Sequence, residues 1–118
     1  MKTNLSKGKY GESLAKEYII AKGYKVLELN YTTKLGEIDI IALDKNIIVC
    51  IEVKTRTNTN FGYAYEAVNL KKQRKIINTS NIYIKHKKIN NIQIRYDIIE
   101  IYLEKCIKIN HIENAFCL

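Results

Sequence analysis

The stretch GEIDIIALDKNIIVCIEVKTR, residues 36–56, decides the fold because it places two apolar segments on either side of a short polar turn. Side chains two positions apart along a strand share a face, and near the turn both faces of each segment are apolar. Charged side chains lie toward the other end of the segments, at Glu37, Asp39, Glu52 and Lys54. The pattern predicts a hairpin that is buried on both faces and carries acidic and basic groups at one end.

The register of this hairpin follows from its turn. Lys45-Asn46 predicts a two-residue loop in which the asparagine takes the positive φ. The resulting register places Asp39 opposite Glu52, and it places Glu37 opposite Lys54 on the same face. A slip of one residue would put Asp39 and Glu52 on opposite faces. Directly opposed residues lie about 4.5–5.5 Å apart, so the two carboxylates would repel each other unless a proton or a divalent metal ion lies between them.

A plainer interpretation of these residues is a set of exposed charges at a strand end, with Lys54 in a surface ion pair with one of the acids. A Glu-x-Lys pattern alone occurs by chance in many chains. The acid on the neighbouring strand, in register and between runs of Ile and Val, favours the metal site over the surface pair.

Short motifs elsewhere in the chain accompany the hairpin. They are GE at 11–12, GEIDIIA at 36–42, EVKTR at 52–56, FG at 61–62, KQ at 72–73, RYDI at 95–98 and HIENAF at 111–116. In these residues the chain resembles the YraN-like family of predicted endonucleases, within the broad PD-(D/E)xK, restriction-endonuclease-like superfamily. The motifs follow the order of that family over nearly the whole chain.

The resemblance implies an assignment of the site residues. Asp39 corresponds to the metal-binding aspartate of the superfamily, and Glu52 and Lys54 correspond to its Glu-x-Lys motif. Glu12 corresponds to the acid that the first helix often supplies, as a further metal ligand or as the holder of a second ion. The backbone carbonyl of Val53 would join Asp39 and Glu52 in binding Mg²⁺ or Mn²⁺. The implied activity is metal-assisted hydrolysis of phosphodiester bonds, and resolvase-like relatives imply a homodimer by analogy.

Periodicity predicts the order of the secondary structure elements. The expected elements besides the hairpin are a helix at 6–22, a strand at 24–31, a long helix at about 65–85, a strand at 91–103 and a short strand at 106–109. The order αβββαβ predicts an α/β fold with a restriction-endonuclease-like core, in which a mixed central sheet is flanked by helices. A right-handed crossover through the long helix would make the fourth strand parallel to one strand of the preceding meander.

Composition limits the classes of protein and partner. The chain has 118 residues, of which 47% are hydrophobic, and no linker divides it, so a single domain over 1–118 is expected. The net charge of +8 favours a polyanion partner over an acidic protein, and the resemblance implies that this partner is DNA. No apolar run approaches the length of about 18 residues that a membrane span needs, so no membrane partner is expected. The N-terminal residues MKTNLSKGKYGES lack the apolar stretch of a signal peptide, which predicts a cytoplasmic protein. Three widely spaced cysteines indicate neither a disulfide framework nor a zinc site.

Basic residues cluster on the predicted long helix, at Lys71, Lys72, Arg74 and Lys75. They are interpreted either as a solvated face or as a nucleic-acid-binding surface that returns toward the hairpin. Lys72 lies near the apolar side of the helix, where its stem could pack while its ammonium reaches water. The resemblance favours a phosphate contact or support of the metal site for Lys72, and a contact to a flanking phosphate for Arg56. His86 and His111 have no partners in a catalytic or metal-binding pattern, so surface or packing roles are expected.

Two other function classes remain open at this point. A nucleic-acid-binding module that kept the fold without turnover would retain the basic residues. A structural or adaptor protein would use a sheet edge or a helix for protein contacts. The presence of Asp39, Glu52 and Lys54 together favours the nuclease, because a degenerate site usually lacks one of them.

Overall fold

The structure is a computed structural model that describes residues 6–57 and 68–117. Within these ranges the chain forms two helices and five strands. The elements are α1 (Lys7–Ala21), β1 (Lys25–Thr33), β2 (Gly36–Asp44), β3 (Ile47–Arg56), α2 (Leu70–His86), β4 (Gln93–Leu103) and β5 (Ile107–Phe116). Neither helix is long and apolar enough to cross a membrane.

The five strands form one mixed sheet in the order β1-β2-β3-β4-β5. The first three strands are an antiparallel meander, β4 runs parallel to β3, and β5 returns antiparallel to β4. A parallel neighbour requires a crossover, and α2 lies in that connection. The predicted α/β class with a restriction-endonuclease-like core is confirmed, including the parallel fourth strand.

Capping residues fix where both helices begin. The side chain of Ser6 accepts a hydrogen bond from the Lys9 N–H at the start of α1. The side chain of Asn69 accepts a hydrogen bond from the Lys72 N–H at the start of α2. The second helix therefore begins at Leu70, later than the predicted start near residue 65, and residues 65–67 lie outside the described part.

The core consists of two apolar layers, one on each face of the sheet. The layer against α1 contains Ala15, Ile19, Ile40, Ala42, Val49, Ile51, Val53, Ile99 and Ile101. The layer against α2 contains Ile38, Ile41, Ile48, Cys50, Ile76, Ile77, Tyr83, Tyr96 and Ile98. The hairpin is buried on both faces, as predicted. Strand alternation would place Ile38 on the same face as Ile40. Ile38 departs from this alternation, because it packs under α2 whereas Ile40 packs under α1.

The predicted hairpin register is confirmed from the pair Asp44–Ile47 to the pair Ile40–Ile51. The ladder ends there, so the predicted pairings of Asp39 with Glu52 and of Glu37 with Lys54 are wrong. The two strands separate at Asp39, which is also where the alternation between Ile38 and Ile40 is interrupted. In the turn, Lys45 rather than the asparagine has the positive φ, of 57°.

The last strand, β5, is longer than the sequence indicated. Ten residues, Ile107–Phe116, form it in place of the short strand expected at 106–109. Its second half pairs with β4 near Asp97 through a register shift between Tyr96 and Ile98. Sequence periodicity did not predict the second half of β5, because HIENAF mixes polar and apolar residues and neither face of this segment is uniformly apolar.

Candidate functional site

The candidate site lies where β2 and β3 separate. Beyond the pair Ile40–Ile51 the backbone N–H of Val53 donates a hydrogen bond to Asp39 Oδ2 at 2.8 Å instead of entering the ladder. The side chain of Asp39 thus takes the place of a backbone partner. Because Val53 directly follows Glu52, this hydrogen bond holds Asp39 beside the Glu-x-Lys segment.

Glu52 is a buried carboxylate with two cationic neighbours. Its side chain is only 6% exposed, and its Oε2 lies 2.9 Å from Lys72 Nζ and 3.6 Å from Lys54 Nζ. Lys54 belongs to the same strand, whereas Lys72 reaches the carboxylate from the first turn of α2. A buried charge is costly unless it is paired, and these two lysines supply the opposite charge beside the Glu52 carboxylate.

A cavity of about 240 Å³ opens over this pair of acids. Its walls combine three acidic side chains and two basic ones, Glu37, Asp39, Glu52, Lys72 and Lys75. Gly36 permits close packing there, because a Cβ at this position would meet the Lys75 Cβ at 3.2 Å. The start of β2 and the first two turns of α2 therefore line the cavity around the carboxylates.

Electrostatics in the cavity disfavour a second negative charge. Burial raises the pKa of Asp39, the nearby charge of Glu52 raises it further, and the hydrogen bond from the Val53 N–H lowers it in part, with a resulting pKa of about 7. Burial lowers the pKa of Lys72, but its hydrogen bond to Glu52 and the surrounding acids outweigh that effect and raise it. Near neutral pH the acidic pair therefore requires a proton or a cation, as the sequence predicted.

Glu12 lies at the edge of the site and is connected to it through Asn30. The Asn30 side-chain amide donates to Glu12 Oε1 at 3.1 Å and is 3.4 Å from Glu37 Oε2. Gly11 lets α1 approach the sheet, because a Cβ there would overlap the Thr55 hydroxyl. Within residues 6–57 and 68–117, no three Asp, Glu, His or Cys side chains form a group that could hold a metal ion. Glu12 is thus not gathered with Asp39 and Glu52 into a three-carboxylate site.

The predicted basic residues of α2 extend from the cavity to the surface. Lys72 and Lys75 line the cavity, while Lys71 and Arg74 are exposed beside them. Arg56 ends β3, and its Nε is buried without a hydrogen-bond partner in the described part of the chain. The four neighbouring residues of α2, Lys71, Lys72, Arg74 and Lys75, are called the basic surface below.

A second polar cluster lies on the α1 face of the sheet, near the hairpin turn. Asp97 is fully buried and accepts hydrogen bonds from Arg95 Nε at 2.9 Å, from Arg95 Nη2 at 3.0 Å and from the Asn114 N–H at 2.9 Å. His111 Nε2 lies 2.7 Å from Asp97 Oδ2, and Lys22 Nζ lies 3.1 Å from His111 Nδ1. An ammonium can only donate, so His111 Nδ1 accepts and its Nε2–H donates to Asp97.

A protein family and several known proteins match most of this chain. The model of the family described as "Uncharacterised protein family UPF0102" matches residues 11–101. A UPF0102 protein of Clostridioides difficile is 51% identical over 114 residues, which are 96% of this chain and 98% of the relative. A UPF0102 protein of Caldanaerobacter subterraneus subsp. tengcongensis is 52% identical over 113 residues, which are 92% of this chain and 93% of the relative. The chain belongs to the UPF0102 family.

UPF0102 is the YraN family that the motifs resemble, so that prediction is confirmed. The matched range of the UPF0102 chain contains Glu12, Asp39, Glu52 and Lys54, which stay candidates for the site. Sequence reasoning missed the ion pair of Lys72 with Glu52, although the position of Lys72 near the apolar side of its helix was a signal. It also missed the Asp97 cluster, although Arg95, Asp97 and His111 all lie in the motifs quoted for this UPF0102 chain.

Proposed function

We propose that the chain is a metal-dependent nuclease of the cytoplasm that hydrolyses phosphodiester bonds in DNA, without sequence specificity or with selectivity for branched structures. The observation that supports it best is the convergence of Asp39 and Glu52 at a cavity that Lys72 and Lys75 also line, with Lys54 Nζ 3.6 Å from Glu52. Assembly as a homodimer, by analogy with resolvases, is part of the same proposal.

The donor atoms at the cavity fit a hard divalent cation. Asp39 and Glu52, with the backbone carbonyl of Val53, would hold Mg²⁺ or Mn²⁺ through oxygen atoms. Their burial and the raised pKa of Asp39 indicate that the pair needs positive charge. When bound, the ion would polarise a phosphoryl oxygen and lower the pKa of the attacking water.

The side chains of this chain then have separate roles. Lys54 Nζ, 3.6 Å from Glu52, orients the attacking water or offsets charge that develops on the phosphoryl group. Glu12 has a positioning role at the edge of the cavity. It accepts a hydrogen bond from the Asn30 side-chain amide, which also lies 3.4 Å from Glu37 Oε2. Arg56 and Lys72 bind flanking phosphates, for which their donors are suited.

Loss of cleavage on replacing Asp39 is the direct test of this function. We expect Mn²⁺-dependent or Mg²⁺-dependent cleavage in a screen of single strands, duplexes, flaps and four-way junctions. Asp39→Asn should reduce the rate by at least about a hundredfold, since it removes a charged ligand of the metal. Glu17→Gln, which removes an exposed acid of α1, is the matched control and should cleave normally. Cleavage that survives Asp39→Asn would contradict the assignment of the site.

Binding to DNA provides a test that does not depend on turnover. If the basic surface makes about four phosphate contacts, the slope of log affinity against log salt should be near −3.6 for duplex DNA. Replacing Lys71 and Arg74 with Gln should flatten the slope by about 1.8, since each contact contributes about 0.9. Lys85, in the last turn of α2, and Lys88, just beyond the helix, are the control pair for the same loss of charge. An unchanged slope in the Lys71 and Arg74 variant would contradict the position of this surface.

The contact of Lys72 with Glu52 favours a second candidate, a binding module of nuclease fold without turnover. A lysine 2.9 Å from the proposed metal ligand already neutralises it. Salt-dependent binding to DNA, combined with no cleavage of any substrate in either metal, would support this candidate over the nuclease.

A further inference from the structure

Glu52 receives a cation from a separate element of the fold. Lys72 Nζ on α2 lies 2.9 Å from Glu52 Oε2, closer than Lys54 Nζ at 3.6 Å. Lys54 lies two residues beyond Glu52 on β3, so the strand itself holds these two side chains on one face. The pairing of Lys72 depends instead on the packing of α2 against the sheet.

The two members of the Lys72 pair differ in their freedom to move. The side chain of Lys72 is 44% exposed, whereas that of Glu52 is 6% exposed. Lysine carries its charge on a flexible four-carbon stem that can extend into water. The ammonium can therefore leave the carboxylate, whereas the carboxylate cannot follow it.

A divalent ion at Glu52 would compete with the ammonium of Lys72, because two cations on one small carboxylate repel each other. From this geometry we infer that Lys72 is a displaceable counter-ion of Glu52, which gives up the carboxylate to the metal ion and then binds a phosphate of the nucleic acid. The inference rests on the proposed function and adds a coupling between metal binding and nucleic-acid binding.

The surroundings of Lys72 suit both its pairing with Glu52 and its contact with a phosphate. On the inner side, Lys72 Nζ lies 2.9 Å from Glu52 Oε2 in a cavity that Asp39 and Glu37 also line. On the outer side, the exposed Lys71 and Arg74 already form a basic surface that a released ammonium would join.

Calorimetric titration with Mn²⁺ at pH 7.5 tests the competition directly. Lys72→Met should bind Mn²⁺ about fivefold more tightly than the native protein, the scale of one partly exposed ion pair. Lys75→Met is the matched control, because Lys75 lines the same cavity and has no ion pair within the described residues. It reports the general effect of removing one positive charge, which should be smaller than about threefold at this distance and ionic strength.

Duplex affinity, measured with Ca²⁺ and separately with chelator, tests the second half of the inference. Ca²⁺ prefers oxygen ligands, as Mg²⁺ does, and it is used in place of Mg²⁺ so that binding to DNA is measured separately from cleavage. Lys72→Met should weaken duplex binding in Ca²⁺ and leave it unchanged in chelator. Lys71→Met should weaken it equally under both conditions, because Lys71 forms no ion pair with a carboxylate in residues 6–57 and 68–117.

The outcomes separate this inference from the proposed function. If Mn²⁺ binds the native protein and not Asp39→Asn, while Lys72→Met binds it no more tightly than Lys75→Met, the counter-ion role is overturned and the metal site stands. If no protein of the series binds Mn²⁺, the metal site and the counter-ion role both fall. Thermal unfolding of each variant checks the fold, and Lys72→Gln provides a second variant with the same expected tightening.

Discussion

Replacing Asp97 with alanine is expected to lower the free energy of unfolding by about 3–5 kcal/mol, because it removes the fully buried carboxylate that pairs with Arg95, whose side chain is only 14% exposed. Asp97 is fully buried and binds Arg95 through two hydrogen bonds, together with His111 and the Asn114 N–H. Without the carboxylate, β5 also loses the contacts of His111 and of the Asn114 N–H to β4. Urea unfolding at pH 7, followed by circular dichroism, measures this loss.

Asp44→Ala is the control for the loss of one charge near Arg95. Asp44 is 27% exposed, and its one side-chain ion pair among the described residues is with Arg95 Nη1 at 3.2 Å, so its removal should cost about 1 kcal/mol or less. A loss for Asp97→Ala as small as that for Asp44→Ala would mean that the cluster does not hold β5.

The Asp97 cluster also has an expected pH dependence. Burial raises the pKa of Asp97, but the hydrogen bonds from His111, Arg95 and the Asn114 N–H outweigh it and lower the pKa below its usual value of 3.8. The stabilisation from Asp97 is therefore complete above about pH 4 and is lost as the pH falls through the lower folded-state pKa. Native protein should lose stability over that acidic range, and the alanine variant should lose less.

Replacing Asp39 with asparagine is expected to have the opposite sign, raising the free energy of unfolding at pH 8 in chelator by about 1–3 kcal/mol. The pKa of Asp39 is raised from 3.8 to about 7, first by burial and then by the charge of Glu52. The folded state thus opposes ionisation of Asp39. Asparagine removes the charge, and its Oδ1 can still accept the hydrogen bond from Val53.

The sign of this effect fixes the pH range for the measurement. Below about pH 4 the carboxyl is protonated in both the folded and the unfolded chain, so the native protein loses nothing there. Between the unfolded value of 3.8 and the folded value of about 7, the penalty from ionisation grows, and above pH 7 it is complete. Thermal unfolding at pH 4 and at pH 8 should therefore give a difference between the two proteins only at the higher pH.

Divalent metal distinguishes the paired-carboxylate site from a surface ion pair. Mn²⁺ should raise the melting temperature of the native protein, because a ligand that binds only the folded state stabilises it. Asp39→Asn should show no such increase. Equal increases in both proteins would contradict the metal site, as would an unchanged stability of the variant in chelator, which an exposed ion pair predicts.

Local rules were sufficient for much of the fold. Turn chemistry at Lys45-Asn46 and alternation along the strands determined the hairpin register as far as Ile40 and Ile51, because both depend on residues close in sequence. The helix between β3 and β4 determined that β4 is parallel to β3. A strand–helix–strand connection turns the chain once into the helix and once out of it, so the second strand runs in the same direction as the first.

Contacts between distant segments needed the tertiary structure. The separation of β2 from β3 at Asp39 depends on a hydrogen bond from Val53, and alternation alone does not predict it. The second half of β5 depends on the pairing of Asp97 with His111, 14 residues further along the chain.

By itself the sequence determined which acids could form a site, since Asp39 and Glu52 interrupt two apolar strands whose register is fixed nearby. The tertiary structure decided what neutralises them. Lys72 reaches Glu52 only because α2 packs against β2, and the direction of a helical side chain toward another element follows from that packing and not from sequence spacing.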